Sequence, residues 1–450
     1  MKSSIESLHA LLSSWAPGRG DRSVTAGFVP GRIEVFGRHT DYAGGRTIVC
    51  AIDRGFAFAA ALRTDRRIRI REDSQEFEPV EFELDPDLHP VVGQWTNYPM
   101  TMARRLERNF PGRLRGMDLA FTSTMPVGSG MSGSSALMMV VYTALAASNN
   151  LEAVPQFRAN IRTPVDLSVY LACAENGQSF RDLEGDRGVG TFGGSEDHAA
   201  ILNGRDGHVS LFSFSPPELL REVPWPSDWR MVVAFSGVRA QKTREALEKY
   251  NMASRRARDA VTVFNRLNGT SHPTLREVVD HQPKPHGDDW MAALDRAGKG
   301  LSPNLADRVR QFVLEDRTHV PGAIEALEAR DLARFGELLS ESHRASRRDL
   351  WNIVPEVDSL MESACELGAA GASGFGAGFG GSIFAVTTDA RAEALRDAWG
   401  ERYRQKFPQF AQEADFFIAQ PSPGIQLWQG QGAVRYVDTV FSPRSGPPGS

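Results

Sequence analysis

The sequence predicts an α+β protein divided into two domains, and three observations carry that expectation. A chain of 450 residues is long enough for two or three domains with cores of their own. The first hundred residues mostly alternate apolar and polar positions, as strands do, whereas the remainder mixes helical periodicity with short strands. Pro216, Pro217, Pro224 and Pro226 interrupt the chain near its middle and mark a boundary. Residues 1–215 then form one domain and 216–440 the other, with 441–450, rich in Ser, Pro and Gly, a disordered tail.

Taken in order, Ile5, Leu8, Leu11, Leu12 and Trp15 have helical spacing. Residues 28–37 alternate as a strand that ends on Gly37, and 38–45 form a polar turn. Further strands are expected at 47–52, 56–62 and 67–71. Trp95, Tyr98, Met102 and Leu106 place an amphipathic helix over 95–109. A strand at 117–122 leads through a loop of small residues into a wholly apolar helix, 137–147. A helix over 164–180 precedes a polar, Gly-rich loop, 181–195. Strands at 209–214 and 231–235 flank the prolines. Residues 239–267 read as a basic helix, 270–290 as a loop-rich interruption, and 303–345 and 357–367 as helices. A run dominated by glycine, 368–381, leads to a strand at 382–387.

Composition excludes several classes. Hydrophobic residues at 41% and charged residues at 24% are ordinary for a soluble globular protein. A formal net charge of −5, with arginines interleaved among acids, gives no reason to expect a nucleic-acid or membrane partner. Cys50, Cys173 and Cys365 are odd in number and far apart, which suits a reducing compartment better than a disulfide framework. No His/Cys group has zinc-site spacing. Glu6 and His9 interrupt the first apolar stretch, so no signal peptide is expected, and 136–147 is too short to span a bilayer. The expected location is the cytoplasm.

Three glycine-rich stretches concentrate the candidate chemistry: Pro30 to Tyr42, Met125 to Ala136 and Gly371 to Gly381. In the central one, Gly128, Gly130 and Gly133 allow close backbone approach, and Ser132, Ser134 and Ser135 add hydroxyls where a helix begins. A helix N-terminus carries unpaired N–H groups and partial positive charge, which suits phosphate. A flexible linker has the same composition, but this run is fixed between a strand and a buried helix, which favours anion binding. No G-x-x-x-x-G-K-[ST] occurs, so this is not a P-loop. The Gly128-x-Gly130-x-x-Gly133 spacing lacks the acidic residue of a dinucleotide site.

Together and in this order, the three stretches resemble the motifs of the GHMP kinases, and of the galactokinases in particular. Pro30-Gly-Arg-Ile-Glu-Val-Phe-Gly-Arg-His-Thr-Asp-Tyr-Ala-Gly-Gly45 resembles P-G-R-V-N-L-I-G-E-H-T-D-Y-N-G-G. Pro126 to Leu137 is similar to P-x-G-x-G-L-S-S-S-A-S-L, and Phe375 to Gly381 to T-G-A-G-F-G-G. Shorter likenesses lie between: Trp95-Thr-Asn-Tyr98, Ala174-Glu-Asn176, Gly194-Ser-Glu-Asp197 against G-I-M-D, and the pair Ser340-Glu-Ser-His343 and Pro355-Glu-Val-Asp358. The resemblance covers roughly residues 25 to 430.

The resemblance implies a two-domain GHMP kinase fold: an N-terminal mixed β/α domain with the nucleotide loop, a C-terminal ferredoxin-like α+β domain, and a site in the cleft between them. It implies an ATP-dependent sugar kinase acting on an anomeric hydroxyl, with ATP and Mg²⁺ as cofactors and a monomer or weak homo-oligomer as the working form. The triphosphate would lie on the loop carrying Gly128, Ser129, Gly130, Ser132, Gly133, Ser134 and Ser135. Ser134 and Glu175 would supply hard oxygens to Mg²⁺. Asp197 would orient or deprotonate the attacking hydroxyl, and Arg32 would pair with it and stabilise the moving phosphoryl group. His39, Asp41, Gly194 and Tyr250 would contact the sugar. Trp95 would lie near the adenine or in the core; Gly376 to Gly381 would support the nucleotide loop by close packing.

Three departures stand out. Arg38 replaces a glutamate that in galactokinases contacts the hydroxyl on the sugar's sixth carbon. An arginine fork matches a carboxylate, so Arg38 would bind a sugar acid such as galacturonate; alternatively it points to solvent or pairs with Glu34, which replaces the family's Asn. The interval between Glu175 and Asp197 is longer than usual, through an insert at 178–191. Gly133 replaces the middle serine of a triplet but keeps its backbone N–H. Two rival readings remain: a kinase for another small alcohol such as mevalonate or a heptose, against which His39-Thr-Asp-Tyr42 argues, and a regulator that senses sugar and ATP without turnover.

Overall fold

Val24–Phe36 and Arg46–Leu62 pair antiparallel along most of their length and form the spine of the molecule. The computed structural model describes residues 2–15, 24–74, 76–239, 244–429 and 432–441. The expected tail, apart from Phe441, lies outside the described residues. The second strand was expected as two, broken at Asp53-Arg54-Gly55. It continues because the register shifts between Pro30 and Arg32, where the second strand bulges and sets Ile52, Asp53 and Arg54 opposite the single Gly31. Gly55 also lets the chains touch: a Cβ there would meet the Val29 carbonyl at 2.2 Å.

These strands belong to a 10-stranded sheet. Along its main path the order is Gly432–Arg435, Gln426–Gln429, Val24–Phe36, Arg46–Leu62, Met117–Ser123, Arg67–Glu72 and Val80–Glu83. His208–Phe214 and Pro421–Ser422 also pair with Arg46–Leu62, so residues from the far end of the chain join the sheet its first strand begins. A four-stranded antiparallel sheet has the order Asp415–Ala419, Trp229–Phe235, Ser382–Thr388, Gly371–Gly374. Pro355–Glu366 and Asp389–Lys406 bury Leu360, Ala364, Leu395 and Trp399 against it.

Several elements differ from expectation. The helix Pro164–Asn176 stops four residues early because Gly177 takes φ +76° and caps it. Pro217–Pro224 is a strand where only a boundary was expected; it pairs with His208–Phe214 and has Pro at both ends, where missing N–H groups cost least. The interruption at 270–290 contains Leu275–Asp280 and the start of Asp288–Ala297, whose Leu275, Val278, Val279, Met291 and Leu294 enter a separate helical core. Gly371–Gly374 is a strand despite its glycines: a Cβ on Gly371 would lie 1.9 Å from the Gly336 carbonyl. Helix Gly133–Asn149 is buried on all sides from Ser135 to Ala146, as its uniform apolarity requires. Among the described residues no helix is long and apolar enough to cross a membrane.

Candidate active site

The site begins with strand alternation. Ile33 and Val35 enter the core, so Arg32 and Glu34 turn to the opposite face, where they line a cavity of about 1080 Å³. The central loop closes one side of this cavity with Gly128, Ser129, Gly130, Ser132, Gly133, Ser134 and Ser135. Trp95 lies at the apolar end with Phe77 and Phe121, its ring centroid 5.6 Å and 6.3 Å from theirs. His39, Asp41, Glu175, Gly194 and Asp197 line the same space.

Arg32 ties the two ends together. Its Nε donates to Asp197 Oδ1 at 2.7 Å, and its Nη1 donates to the Gly130 carbonyl of the loop at 2.7 Å. Burial disfavours its charge, but Asp197, Glu196 and Glu34 outweigh that and hold the guanidinium above its ordinary pKa. Asp197 is the more open partner, with a third of its side chain exposed. The arrangement fixes a carboxylate toward the cavity and a permanent positive charge between it and a phosphate-type loop.

The turn after the first strand is held from behind. Gly37 N–H donates to Glu315 Oε2 at 3.0 Å, and Gln311 Nε2 donates to the Arg38 carbonyl at 2.8 Å. Arg308 donates to the His39 carbonyl, and Arg46 N–H to Asp316 Oδ1 at 2.8 Å. This clamp lets His39 hold φ +58°, a left-handed conformation that costs a non-glycine residue about 1–3 kcal/mol. His39 Nδ1 meets the Tyr42 hydroxyl at 2.8 Å, and Nε2 lies 3.3 Å from both the Ala377 carbonyl and Asn352 Nδ2. Burial, with Arg308 and Arg38 nearby, lowers its pKa to about 3, so the ring is neutral. The ring is thus engaged by protein groups as well as lining the cavity.

Asp41 packs under the 194–196 segment. Its Oδ2 accepts from Glu196 N–H at 3.3 Å, and a Cβ on Gly194 would lie 2.1 Å from that oxygen, so only glycine permits the approach. Burial, with Asp197 and Glu34 adding like charge, raises the Asp41 pKa to about 6. Glu34 accepts from Gly376 N–H at 2.9 Å and His39 N–H at 3.2 Å, and burial raises its pKa despite Arg38 and Arg32.

Arg38 does not line the cavity. It is 3% exposed, its Nη2 donates to Ser373 Oγ at 3.2 Å, and its charge faces Glu34 and Glu315. Burial holds this guanidinium below its ordinary pKa. The side chain of Tyr250 lies outside the described residues.

Glu175, near the end of its helix, accepts from Ser135 Oγ at 2.7 Å and lines the cavity with Ser134. A buried carboxylate with one hydroxyl bonded to it and a second, from Ser134, on the same cavity wall is a hard oxygen set of the kind Mg²⁺ takes, so these residues fit that ion. The third glycine stretch packs on the loop. A Cβ on Gly376 would meet the Gly130 carbonyl at 2.7 Å, and Ser382 Oγ donates to the Ser129 carbonyl at 2.7 Å. It also reaches the cavity at Gly376, Ala377, Gly378 and Phe379.

Sequence reasoning did not single out Glu196 and His198, which flank Asp197 and also line the cavity. Glu196 is 5% exposed, and its Oε1 lies 3.9 Å from Arg32 Nε. His198 Nε2 lies 3.1 Å from Glu175 Oε2, although the ring is not oriented to hydrogen-bond it. The available signal was their place on either side of Asp197, with Glu196 standing where the motif G-I-M-D has methionine.

Three family models match the chain: the galactokinase galactose-binding signature over residues 20–62, the GHMP kinases N terminal domain over 97–160 and GHMP kinases C terminal over 323–405. The structure is similar to that of Lactococcus lactis galactokinase complexed with galactose, with a TM-score of 0.76 and 26% identity, covering 94% of this chain and 99% of that one. Methanococcus jannaschii mevalonate kinase shares the fold at a TM-score of 0.52 and 13% identity, covering 90% of this chain and 99% of that one. L. major mevalonate kinase in complex with R-mevalonate shares it at 0.55 and 16%, covering 89% and 97%.

Proposed function

The chain belongs to the galactokinase branch of the GHMP kinase family, and on that premise we propose that it transfers the terminal phosphoryl group of ATP to the anomeric hydroxyl of galactose or a neutral sugar of the same configuration. The observation that carries this reading is the double attachment of Arg32. One guanidinium holds both the Gly130 carbonyl of the loop and the Asp197 carboxylate, which supports a reading in which a phosphate on the loop and a hydroxyl at Asp197 share one positive charge.

In this reading the backbone N–H groups and hydroxyls of 128–135 receive the triphosphate, and Trp95 borders the adenine. Ser134 and Glu175 would hold Mg²⁺, which would supply positive charge to the phosphate oxygens. Asp41, Gly194, His39 and Tyr250 orient the sugar. Asp197 accepts the hydrogen bond, and then the proton, of the anomeric hydroxyl as the oxygen attacks. Arg32 keeps Asp197 pointed at that oxygen and stabilises negative charge gathering on the transferred group. Such catalysis is mainly positioning and electrostatics, which a pre-formed ion pair supplies without reorganisation.

A neutral sugar is favoured over a sugar acid for an electrostatic reason. Arg38, the residue that would have met a sugar carboxylate, is buried outside the cavity. Arg32, which does line the cavity, is already engaged by Asp197 and the Gly130 carbonyl, with Glu196 and Glu34 acting on the same guanidinium, so it is not free to receive a sugar carboxylate. A panel of sugars assayed for ATP consumption tests the proposal. Galactose is expected to exceed galacturonate in kcat/KM. Preference for galacturonate would overturn the choice of a neutral sugar, and sugar binding without turnover would replace the kinase by a sensor.

A further inference from the structure

Glu34 and Arg38, four residues apart, and Glu196, far along the chain, each depart from the galactokinase pattern, which has Asn, Glu and Met at those places. In the fold they share one electrostatic neighbourhood. The charge of Arg38 is felt chiefly by Glu34, with Glu315 and Glu196 following, and Glu34 acts in turn on Glu196. Arg38 is turned away from the cavity, whereas Glu34 and Glu196 line it. The two carboxyl groups are not equivalent. Both oxygens of Glu34 are occupied by backbone N–H groups, from Gly376 and His39. Glu196 is as deeply buried, at 5% exposure, yet its only close polar neighbour among the described contacts is Arg32, at 3.9 Å and beyond hydrogen-bond range.

The little exposure Glu196 keeps is toward the cavity, and a carboxyl so enclosed is completed by whatever polar group occupies that space. Arg32 at that distance does not supply a hydrogen bond, because its Nε is committed to Asp197 and its Nη1 to the Gly130 carbonyl. The backbone of Glu196 is fixed too, through its N–H on Asp41. The side chain therefore lines the cavity beside Arg32 with its hydrogen-bonding capacity unspent.

We propose that Glu196 contacts the sugar directly and reads the hydroxyl next to the anomeric carbon. This rests on the kinase reading above, which puts the anomeric hydroxyl at Asp197. Glu196 adjoins Asp197 across Arg32, so the hydroxyl it reaches is the neighbour of the one Asp197 holds. Burial, with Glu34 and Asp41 as like charges, pushes the Glu196 pKa well up, which favours the protonated carboxyl, and in either form its oxygens can accept from that hydroxyl. A site that hydrogen-bonds a substrate hydroxyl with a buried polar group discriminates strongly against the analogue that lacks it, because the group is then left unpaired.

The test compares galactose with 2-deoxygalactose in the wild type, Glu196→Met and Glu196→Gln, measuring kcat, the KM of each sugar and the KM of ATP. In the wild type, kcat/KM is expected to fall about 10²-fold or more for the deoxy sugar. In Glu196→Met the two sugars become equal within about threefold, through a higher KM for galactose, while the KM of ATP is unchanged. Glu196→Gln, which keeps a donor and an acceptor, restores part of the discrimination. Direct binding of the two sugars to the wild type, measured by calorimetry, reads the same discrimination should a variant fail to fold. Equal use of both sugars by the wild type, or undiminished discrimination in Glu196→Met, overturns this assignment and leaves the kinase reading intact. Failure of the wild type to phosphorylate either sugar overturns both.

Discussion

Replacing Asp197 by Ala leaves Arg32 bonded to the Gly130 carbonyl but without its nearest carboxylate. The loop and the sugar residues keep their supports, so binding and turnover separate. The kcat of Asp197→Ala is expected to fall about 10³-fold or more, while calorimetric affinity for the sugar changes less than about tenfold. Parallel loss of both would remove Asp197 from the transferring step and make it a binding residue. Asp41 gives a pH signature. Its carboxyl has a pKa raised to about 6, so as pH falls through that value in the free protein it gains a proton and loses acceptor strength. Sugar affinity should weaken below about pH 6 and level off above it, and Asp41→Asn should flatten the profile. A wild-type profile without an inflection there would exclude Asp41 from sugar recognition. Arg32, Asp41, Glu175 and Asp197 were legible in the sequence because short motifs carry them. The direction taken by Arg38 was not. It depends on Ser373, Glu315 and the packing of a distant helix, and residue type does not say which way a long side chain turns.

The central loop and the third glycine stretch act as one element. Gly376 has φ +73°, and a Cβ there would sit 2.7 Å from the Gly130 carbonyl. Gly376→Ala forces the two backbones apart and disturbs the carbonyl that anchors Arg32. The expected result is a loss of about 1–3 kcal/mol in stability by denaturant unfolding, with a higher KM for ATP than for sugar as the larger kinetic change. An unchanged KM for ATP would show that the loop does not depend on this contact. The supporting role of this stretch was readable from its glycines, but the strand Gly371–Gly374 within it was not, since glycine disfavours strands unless another backbone comes close. The helices at 275–280 and 288–297 escaped notice for a related reason: Pro, Gly and His punctuate the segment, and burial in a separate helical core outweighs local propensity.

At the scale of the whole molecule, one cavity gathers residues from the first strand, the central loop, the 175 and 194–198 segments and the 376–379 turn. Each piece owes its position to a long-range contact: Glu34 to Gly376, Gly37 to Glu315, Ser129 to Ser382 and Arg32 to Asp197. The order of three motifs along the chain was enough to anticipate that they meet; the side-chain clamp from Arg308, Gln311, Glu315 and Asp316 had no local pattern to announce it. The central claim is that this convergence serves phosphoryl transfer from ATP to an anomeric hydroxyl. Phosphorus NMR of a reaction holding the protein, ATP, Mg²⁺ and galactose tests it most directly. The account predicts a single new phosphomonoester resonance, split by the anomeric proton and growing in step with ADP. ADP appearing with free phosphate and no ester, or an ester split by the two protons of the sixth carbon, would contradict it.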